Sequence, residues 1–279
     1  MIELDVTSST NSYLSDYHPL TAVDITLVTA EHQTAGRGQQ GNSWESERGQ
    51  NLLFSLQVQP STLPSTDVFV LSEAIALSIR EAIAAQLHTD TLPVCVKWPN
   101  DIYVGDRKIA GILIENEFRG THLGRCIIGC GVNINQSVFA FASDDNPRNA
   151  DAGTGQTPAD ALAQDVSNLV AHPTPVPVSL FQLKGTATER RFVLEAIIDA
   201  FARRYEAIQS GVPAALAAIH ADYLAALYRR EGSYPFVDAQ GLFQAEIADV
   251  EPTGHLILRD AEGRLRRYAF KEVAYMKAN

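Results

Sequence analysis

Short apolar runs separated by polar or glycine-containing turns fill the first half of the chain, and their length predicts strands. Residues 25–30, 51–58 and 94–98 form runs of the size that is typical of buried β-strands. Two further runs, 102–104 and 108–115, flank a Gly-Asp pair, and this arrangement predicts a β-hairpin. The first half of the chain is therefore expected to build a sheet.

The pattern changes twice after this sheet. Residues 68–87 and 189–209 carry apolar side chains at helical spacing and predict long amphipathic helices, and 214–228 predicts a further helix. From residue 233 onward, short strands alternate with turn glycines, which is typical of a small barrel or sandwich. We expect an α+β fold with one large domain at 1–229 and a small β-domain at 230–279.

Residues 140–177 lack the periodicity of the surrounding segments. They are polar, rich in glycine and aspartate at first, and proline-rich towards the end. A stretch this long without a strong helix or strand pattern is uncommon inside a compact domain. We interpret it as a mobile surface insertion.

Composition and charge narrow the class of protein. The 279 residues carry a net charge of −11, from 22 basic and 33 acidic side chains, which argues against a broad nucleic-acid surface. The three cysteines form no C-x-x-C pair, which suggests neither a zinc site nor a disulfide framework, and fits a reducing compartment. No signal-peptide pattern and no apolar run of membrane-spanning length occurs. We expect a cytoplasmic protein that binds neither nucleic acid nor membrane.

A glycine-rich stretch between two predicted strands is the first candidate for chemistry. Gly36, Gly38 and Gly41 surround Arg37, and Trp44 follows. Closely spaced glycines let backbone N–H groups form an anion-binding nest, and the planar arginine fork suits a carboxylate or phosphate. The stretch therefore predicts a cradle for an anionic nucleotide or a carboxylate. A polar hairpin without a ligand is the open alternative.

Two other positions each have one structural and one functional interpretation. The hydroxyl cluster at 7–11, which includes Ser9 and Thr10, fits a helix N-cap and fits a ligand-facing turn equally well. Lys97 lies inside an apolar strand, where its charge is costly unless it meets an anion. Strand alternation could instead put Lys97 on a solvated face.

Glycines inside the predicted strands suggest a flat surface. Gly111 interrupts one strand, and such glycines often mark the close approach of a ligand or a second backbone. Gly129 and Gly131 are spaced by one residue, so they remove side chains from the same strand face. A slot of this kind could admit a ring system.

Four motifs in this order resemble the biotin protein ligases, which attach biotin to a lysine of biotin-dependent carboxylases. They are the glycine stretch, K-W-P-N-D at 97–101, K-x-A-G-I-L-x-E at 108–115 and G-C-G-V-N-I-N at 129–135. The resemblance implies a mixed-sheet catalytic domain of the biotin/lipoate ligase type followed by a small SH3-like β-barrel. Among these ligases, the resemblance is to the form that lacks the N-terminal DNA-binding domain.

The resemblance also implies the reaction and its participants. The biotin carboxylate attacks the α-phosphate of ATP to give biotinyl-5'-AMP, and a lysine of the biotin carboxyl carrier domain then displaces AMP. Mg²⁺ is expected as the counter-ion of ATP, and no protein ligand for it is assigned. A homodimer is compatible with the resemblance and is left open.

The site residues are carried over position by position. Lys97 and Arg37 are implied to be catalytic, while Lys108 is open between a phosphate contact and a solvated hairpin lysine. The implied biotin-binding residues are Ser9, Thr10, Gln33, Gly36, Arg37, Lys97, Gly111 and Gly129. The implied ATP-binding residues are Arg37, Gln39, Trp44, Asn100, Lys108 and Asn133.

One departure and several alternatives accompany the resemblance. The family stretch often reads G-R-G-R-x-G, whereas here Gln39 and Gln40 follow Gly38, so the second arginine is missing and Arg37 is the only cation of this stretch. Rival interpretations are a lipoate or octanoate ligase or transferase of the same fold, a non-catalytic module that binds biotinyl-adenylate, and a structural interaction protein. The K-W-P-N-D motif and the paired strand glycines favour biotin.

Overall fold

The computed structural model describes residues 1–18, 24–39, 42–60, 63–87, 93–139 and 175–276. The chain divides into two compact units, of which the first contains residues 1–138 and 177–228 and the second contains the segment that begins at Arg229. The predicted domains, 1–229 and 230–279, stay a prediction. The predicted mobile insertion at 140–177 lies outside the described residues, apart from its last three positions. None of the helices within these ranges has the length and apolarity that a membrane span requires.

The first unit is a seven-stranded mixed sheet with helices. The strands follow the order β1-β2-β3-β7-β6-β5-β4; β1 and β2 are parallel and the other neighbours are antiparallel. This confirms the α+β class. The strands are β1 Ile2–Thr7, β2 Ile25–Gln33, β3 Leu52–Val58, β4 Val94–Lys97, β5 Asp101–Val104, β6 Arg107–Arg119 and β7 His122–Val132. The helices are α1 Thr10–Asp16, α2 Phe69–Leu87, α3 Leu180–Lys184, α4 Arg190–Gln209 and α5 Pro213–Ala225.

The central strands of this sheet have two different faces. Gly129 on β7 pairs with Ser55 on β3 and with Leu113 on β6, so these three positions share one face. The alternate positions, such as Phe54 and Ile128, carry fully buried apolar side chains on the other face. Because side chains alternate along a strand, the same residues that build the core fix the position of the glycine-bearing face.

The last helix of the first unit supports the corner that follows β4. Tyr223 of α5 is buried and donates from its hydroxyl to the Pro99 carbonyl at 3.0 Å. The chain after α5 then runs beside β4, with Val96 N–H donating to Ala226 O and Tyr228 N–H donating to Val96 O, both at 2.8 Å. These bonds cover a sheet edge that would otherwise expose unpaired backbone groups.

The second unit is a five-stranded antiparallel sheet in the order β11-β10-β9-β8-β12. Phe236, Ile247 and Leu258 are among its buried apolar side chains. The pairings form a ladder from β11 to β12, and closure into an SH3-like barrel stays a prediction. The strands are β8 Tyr234–Asp238, β9 Gly241–Val250, β10 Leu256–Asp260, β11 Leu265–Tyr268 and β12 Val273–Tyr275.

A charged network stabilises this second sheet. Arg266 Nε lies 2.9 Å from Asp260 Oδ2, and Tyr268 donates from its hydroxyl to Asp238 Oδ2 at 2.6 Å. Burial alone would raise the pKa of Asp260, but the backbone N–H of Arg264 and the guanidinium groups of Arg266 and Arg264 outweigh it. They lower the pKa of Asp260 to about 2.

The lowered pKa of Asp260 makes the stability of the second unit depend on pH. Its carboxyl has a lower pKa in the folded chain than in the unfolded chain, so its contribution is present above about pH 4. That contribution is lost as the pH falls towards about 2. Asp260→Asn should therefore lower the free energy of unfolding at pH 6 and have a much smaller effect at pH 2.5.

Thermal unfolding of the full chain, followed by circular dichroism at both pH values, checks this expectation. Asp249→Asn is a matched control in the same sheet. An effect of Asp260→Asn that is equal at pH 6 and pH 2.5 would contradict the assignment.

Candidate active site

Three glycines make one face of the sheet flat. Gly111 on β6 lies directly opposite Gly131 on β7, and Gly129 is two residues before Gly131. A Cβ added at Gly131 would lie 2.2 Å from Cε2 of Trp44, and one added at Gly129 would lie 2.1 Å from Oδ1 of Asn11. Real Cβ atoms do not approach so closely, so only glycine permits these contacts. We call Gly111, Gly129 and Gly131 the glycine floor.

The indole of Trp44 lies on this floor. Its Nε1 is buried and has no hydrogen-bond partner among the described residues. Lys108 Nζ lies 5.7 Å from the centroid of the ring, within the range of a cation–π contact. The slot predicted from the sequence is therefore occupied by a side chain of the protein itself, and it holds a buried donor that a ligand could satisfy.

Two lysines lie on the same sheet face as the floor, because Lys97 pairs with Asp101 and Asp101 pairs with Gly111. Lys108 Nζ forms an ion pair with Asp101 Oδ1 at 2.7 Å and lies 3.1 Å from the Cβ position of Gly111. Its side chain is 20% exposed, which does not fit a solvated hairpin lysine. Lys97 Nζ lies 3.2 Å from the Tyr103 hydroxyl and 4.9 Å from the centroid of its ring. Lys108 thus contacts the floor.

A bulge explains why Lys108 reaches this face. The register between β5 and β6 shifts after Ile102, so that Ile102 lies opposite Ala110 but Tyr103 lies opposite Lys108. Without the extra residue, Lys108 would point to the apolar face with Ala110. Bulges commonly redirect a side chain beside a functional site, and this one puts Lys108 on the same face as Gly111.

The glycine-rich stretch forms a short hairpin against the start of α1. Here it is called the glycine loop, residues 34–39 and 42–46. Thr34 N–H donates to Thr7 O and Ala35 N–H donates to Ser8 O, both at 2.9 Å. Within the loop, Trp44 N–H donates to Gly36 O at 3.0 Å. A Cβ at Gly36 would lie 2.5 Å from the Trp44 carbonyl oxygen, so glycine is required there too.

A polar cluster lies where the loop meets α1. Gln33 Oε1 accepts from Thr10 N–H at 2.8 Å and from Thr10 Oγ1 at 3.1 Å. Ser55 Oγ, fully buried on β3, lies 2.7 Å from Thr10 Oγ1 and 2.6 Å from Asn11 Oδ1. Ser9 is buried and precedes α1, yet its side chain makes no capping hydrogen bond. The N-cap of α1 thus lies in the hydroxyl cluster, at Ser9, without a side-chain cap, and the ligand-facing turn stays a prediction.

Arg37 reaches from the loop to the sheet. Its Nη2 lies 2.8 Å from Glu115 Oε2 on β6, and the same oxygen accepts from Asn11 Nδ2 at 2.7 Å. Asn11, Ser55, Asp101 and Glu115 are not among the site residues that the resemblance implies. The available signals were a serine within an apolar strand and acidic residues that end two of the motifs.

The remaining predicted ATP-binding residues have backbone partners. Asn100 and Asn133 are buried, and their Nδ2 groups donate to Ile112 O and to Val178 O respectively. Gln39 accepts from Asn42 N–H through its carbonyl oxygen at 3.2 Å. These bonds fix the strands and the loop around the floor. Direct contacts of the three residues with ATP stay a prediction.

The cysteines are unsuited to nucleophilic catalysis. Burial raises the pKa of the Cys126 and Cys130 thiols far above the usual value, and burial raises that of Cys95 as well. A thiol that stays protonated near neutral pH is a poor nucleophile. Within the described ranges, no group of three or more His, Cys, Asp or Glu side chains could hold a metal ion.

Comparison with known proteins gives a consistent result. Residues 3–133 match the model of the biotin/lipoate A/B protein ligase family. The chain is 32% identical over 206 residues to the bifunctional ligase/repressor BirA of Bacillus spizizenii, an alignment that covers 74% of this chain and 53% of that protein. It is 27% identical over 244 residues to the biotin–[acetyl-CoA-carboxylase] ligase of Paracoccus denitrificans, and covers 85% of each protein. The chain thus spans about half the length of the Bacillus relative.

A solved structure shares the fold over nearly the whole chain. The biotin protein ligase from Aquifex aeolicus, in complex with biotin and ATP, has a TM-score of 0.69 and 19% sequence identity. The match covers 99% of this chain and 98% of that one. At this identity the likeness establishes the fold.

The contact between Trp44 and the floor yields a testable expectation. Gly131→Ala adds a methyl group 2.2 Å from the indole, so the indole must move or the core must strain. We expect a loss of about 1–3 kcal/mol in the free energy of unfolding and a shift in tryptophan emission. Urea denaturation with fluorescence detection measures both.

The Trp44→Ala background is the control, because it provides room for the methyl group. There Gly131→Ala should cost much less. An equal cost in both backgrounds would show that Trp44 does not lie on Gly131.

Proposed function

We propose that the chain attaches biotin to a lysine of a biotin carboxyl carrier protein in an ATP-dependent reaction, as its match to the biotin/lipoate A/B protein ligase family over residues 3–133 supports. Biotinyl-5'-AMP is the intermediate. The observation that carries the proposal is the glycine floor, a flat surface with two lysines and an arginine at its margins. The name of the Paracoccus denitrificans relative, a biotin–[acetyl-CoA-carboxylase] ligase, supports the choice of biotin.

The first step joins two anions. A carboxylate oxygen of biotin forms a bond to the α-phosphorus of ATP while the bond to pyrophosphate breaks. Positive charge beside the reacting atoms lowers the repulsion between nucleophile and phosphate. Lys108, Lys97 and Arg37 supply that charge. In the second step, the amine of the carrier lysine attacks the acyl carbon of the mixed anhydride, and AMP leaves.

We assign a direct contact with the reacting anions to Lys108 as well as to Lys97. The Lys108 ammonium group is beside Gly111 and the Trp44 ring, and Lys97 Nζ lies 3.2 Å from the Tyr103 hydroxyl. An incoming carboxylate or phosphate would compete with Asp101 for Lys108. Lys97 remains in the proposal as a second cation on the same sheet face.

Biotin would lie with its ring near the polar cluster and its acyl tail along the floor. The ureido group can exchange hydrogen bonds with Ser9, Thr10 and Gln33, while the tail would take space over the glycines that Trp44 and Asn11 occupy in the ligand-free chain. The adenosine would lie towards Trp44, whose face suits a base. The full proposed biotin set is Ser9, Thr10, Gln33, Gly36, Arg37, Lys97, Gly111 and Gly129, and the ATP set is Arg37, Gln39, Trp44, Asn100, Lys108 and Asn133.

Mg²⁺ would enter with ATP as the counter-ion of its phosphates. Magnesium is commonly held by one or two carboxylates together with substrate phosphates and water. Asp101, beside the floor, has the chemistry to contribute, and when bound the ion would offset phosphate charge. The proposed cellular setting is the cytoplasm, where ATP and carrier proteins are available.

A comparison of acyl substrates tests the function. The chain is incubated with ATP, Mg²⁺, a biotin carboxyl carrier domain and either biotin, lipoate or octanoate, and the carrier is weighed by mass spectrometry. We expect a mass gain with biotin alone, at the acceptor lysine. A gain with lipoate or octanoate but not with biotin would overturn the proposal in favour of the related ligases.

The two lysines make a second test. Lys108→Ala and Lys97→Ala should each slow adenylate formation about 10²–10³-fold, the usual cost of removing one group that stabilises a reacting anion. Pyrophosphate release measures the step. Lys184→Ala is the control, because Lys184 lies on α3 and bonds Thr188 at 3.0 Å. Near-normal release by Lys108→Ala would remove Lys108 from the reaction.

A further inference from the structure

A carboxylate lies beside the site at a place where anions are proposed to bind. Glu115 Oε2 is 2.8 Å from Arg37 Nη2, and Arg37 is the only cation of the glycine loop. Negative charge at this point weakens the field that Arg37 offers to a substrate anion. Glu115 must therefore contribute something other than anion binding if the site is to work.

The geometry identifies that contribution. Glu115 belongs to β6, and its Oε2 accepts from Arg37 of the glycine loop and from Asn11 Nδ2 of α1, at 2.8 and 2.7 Å. One oxygen thus joins the loop, the helix and the sheet. Asn11 extends this connection to β3 and β7. Its Oδ1 lies 2.6 Å from Ser55 Oγ on β3 and fills the space above Gly129 on β7.

The arrangement orients Arg37 without using all its donors. A guanidinium group has five N–H donors in a rigid plane. Among the described residues only Nη2 of Arg37 has a side-chain partner. The Nε and Nη1 edges remain available to a carboxylate or phosphate, while the bond to Glu115 keeps the plane from rotating away.

We propose that Glu115 is a positioning residue that fixes the glycine loop to α1 and the sheet, and thereby presents Arg37 to the substrate anion. The effect on substrate binding rests on the proposed function. The effect on loop position does not, because it concerns the ligand-free chain.

Hydrogen–deuterium exchange of the ligand-free chain tests the first part. Glu115→Ala removes both bonds, so peptides covering the glycine loop should exchange faster while peptides covering β3 and α2 stay unchanged. Glu115→Gln can keep both bonds, since both go to a single oxygen, and should retain most of the protection. Glu117→Ala is the matched control, because Glu117 lies two residues further along β6 and pairs with Arg125.

Faster exchange throughout the first unit would mean that Glu115 only stabilises the fold, and loop exchange unchanged in Glu115→Ala would mean that no such restraint exists. Either result overturns the proposal. Equal effects of Glu115→Ala and Glu115→Gln would also overturn it, because they would indicate that charge and not geometry matters.

Biotin binding tests the second part. Calorimetry should give a Kd for biotin about five- to tenfold higher for Glu115→Ala, less than the full loss of a charge-assisted hydrogen bond because Arg37 keeps its charge and loses only its restraint, and a smaller rise for Glu115→Gln. If the wild-type chain binds biotin and Glu115→Ala accelerates loop exchange but leaves the Kd for biotin unchanged, Glu115 does not present Arg37 to the substrate. Absence of biotin binding by the wild-type chain would instead refute the proposed function and leave the loop restraint standing.

Discussion

The alternation of side chains along β6 and β7 is the constraint on which the site depends. One face of these strands is filled with buried apolar side chains, and the other is reduced to backbone by Gly111, Gly129 and Gly131. Because both faces belong to the same strands, the packing that forms the core also fixes the position of the floor. A flat and rigid surface lets Trp44 and Asn11 approach the backbone closely, and the proposed ligand would use the same space.

Charge around the floor is arranged in pairs in the ligand-free chain. Lys108 is held by Asp101 and Arg37 by Glu115. Because each cation is paired, it stays in a defined position. A bound anion would then compete with a carboxylate for a cation that is already oriented towards the floor. Preorganisation of this kind lowers the reorganisation needed when charge develops. It also accounts for the acidic residues beside the proposed site for anionic substrates.

The sequence predicted much of the fold because strand and helix periods were strong and local. The runs that became β2, β3, β4 and α2 were found from pattern alone. The flat slot followed from glycine spacing, which is also local. The position of Lys108 could not be predicted, because it depends on a register shift after Ile102 that leaves no mark in the pattern. Nor could the Arg37–Glu115 pair, whose members are 78 residues apart.

Other features of the site arise from tertiary packing. Trp44 is among the residues that the resemblance implies for ATP binding, but the place of its indole on Gly131 depends on how the glycine loop folds back over the sheet. Ser55 looked like an ordinary strand residue, and it gains its role from the approach of α1. Sequence patterns identify such residues as candidates, and only their three-dimensional neighbours assign them a partner.

The most direct test of this account is a crystal structure of the chain with biotin and a non-hydrolysable ATP analogue. The account predicts ligand density along Gly111, Gly129 and Gly131, with the biotin carboxylate and the α-phosphate within hydrogen-bond distance of Lys108 and Arg37. It also predicts that Trp44 moves off Gly131 to pack against the adenine. Ligand density on another face of the sheet, with Trp44 still on Gly131, would contradict it.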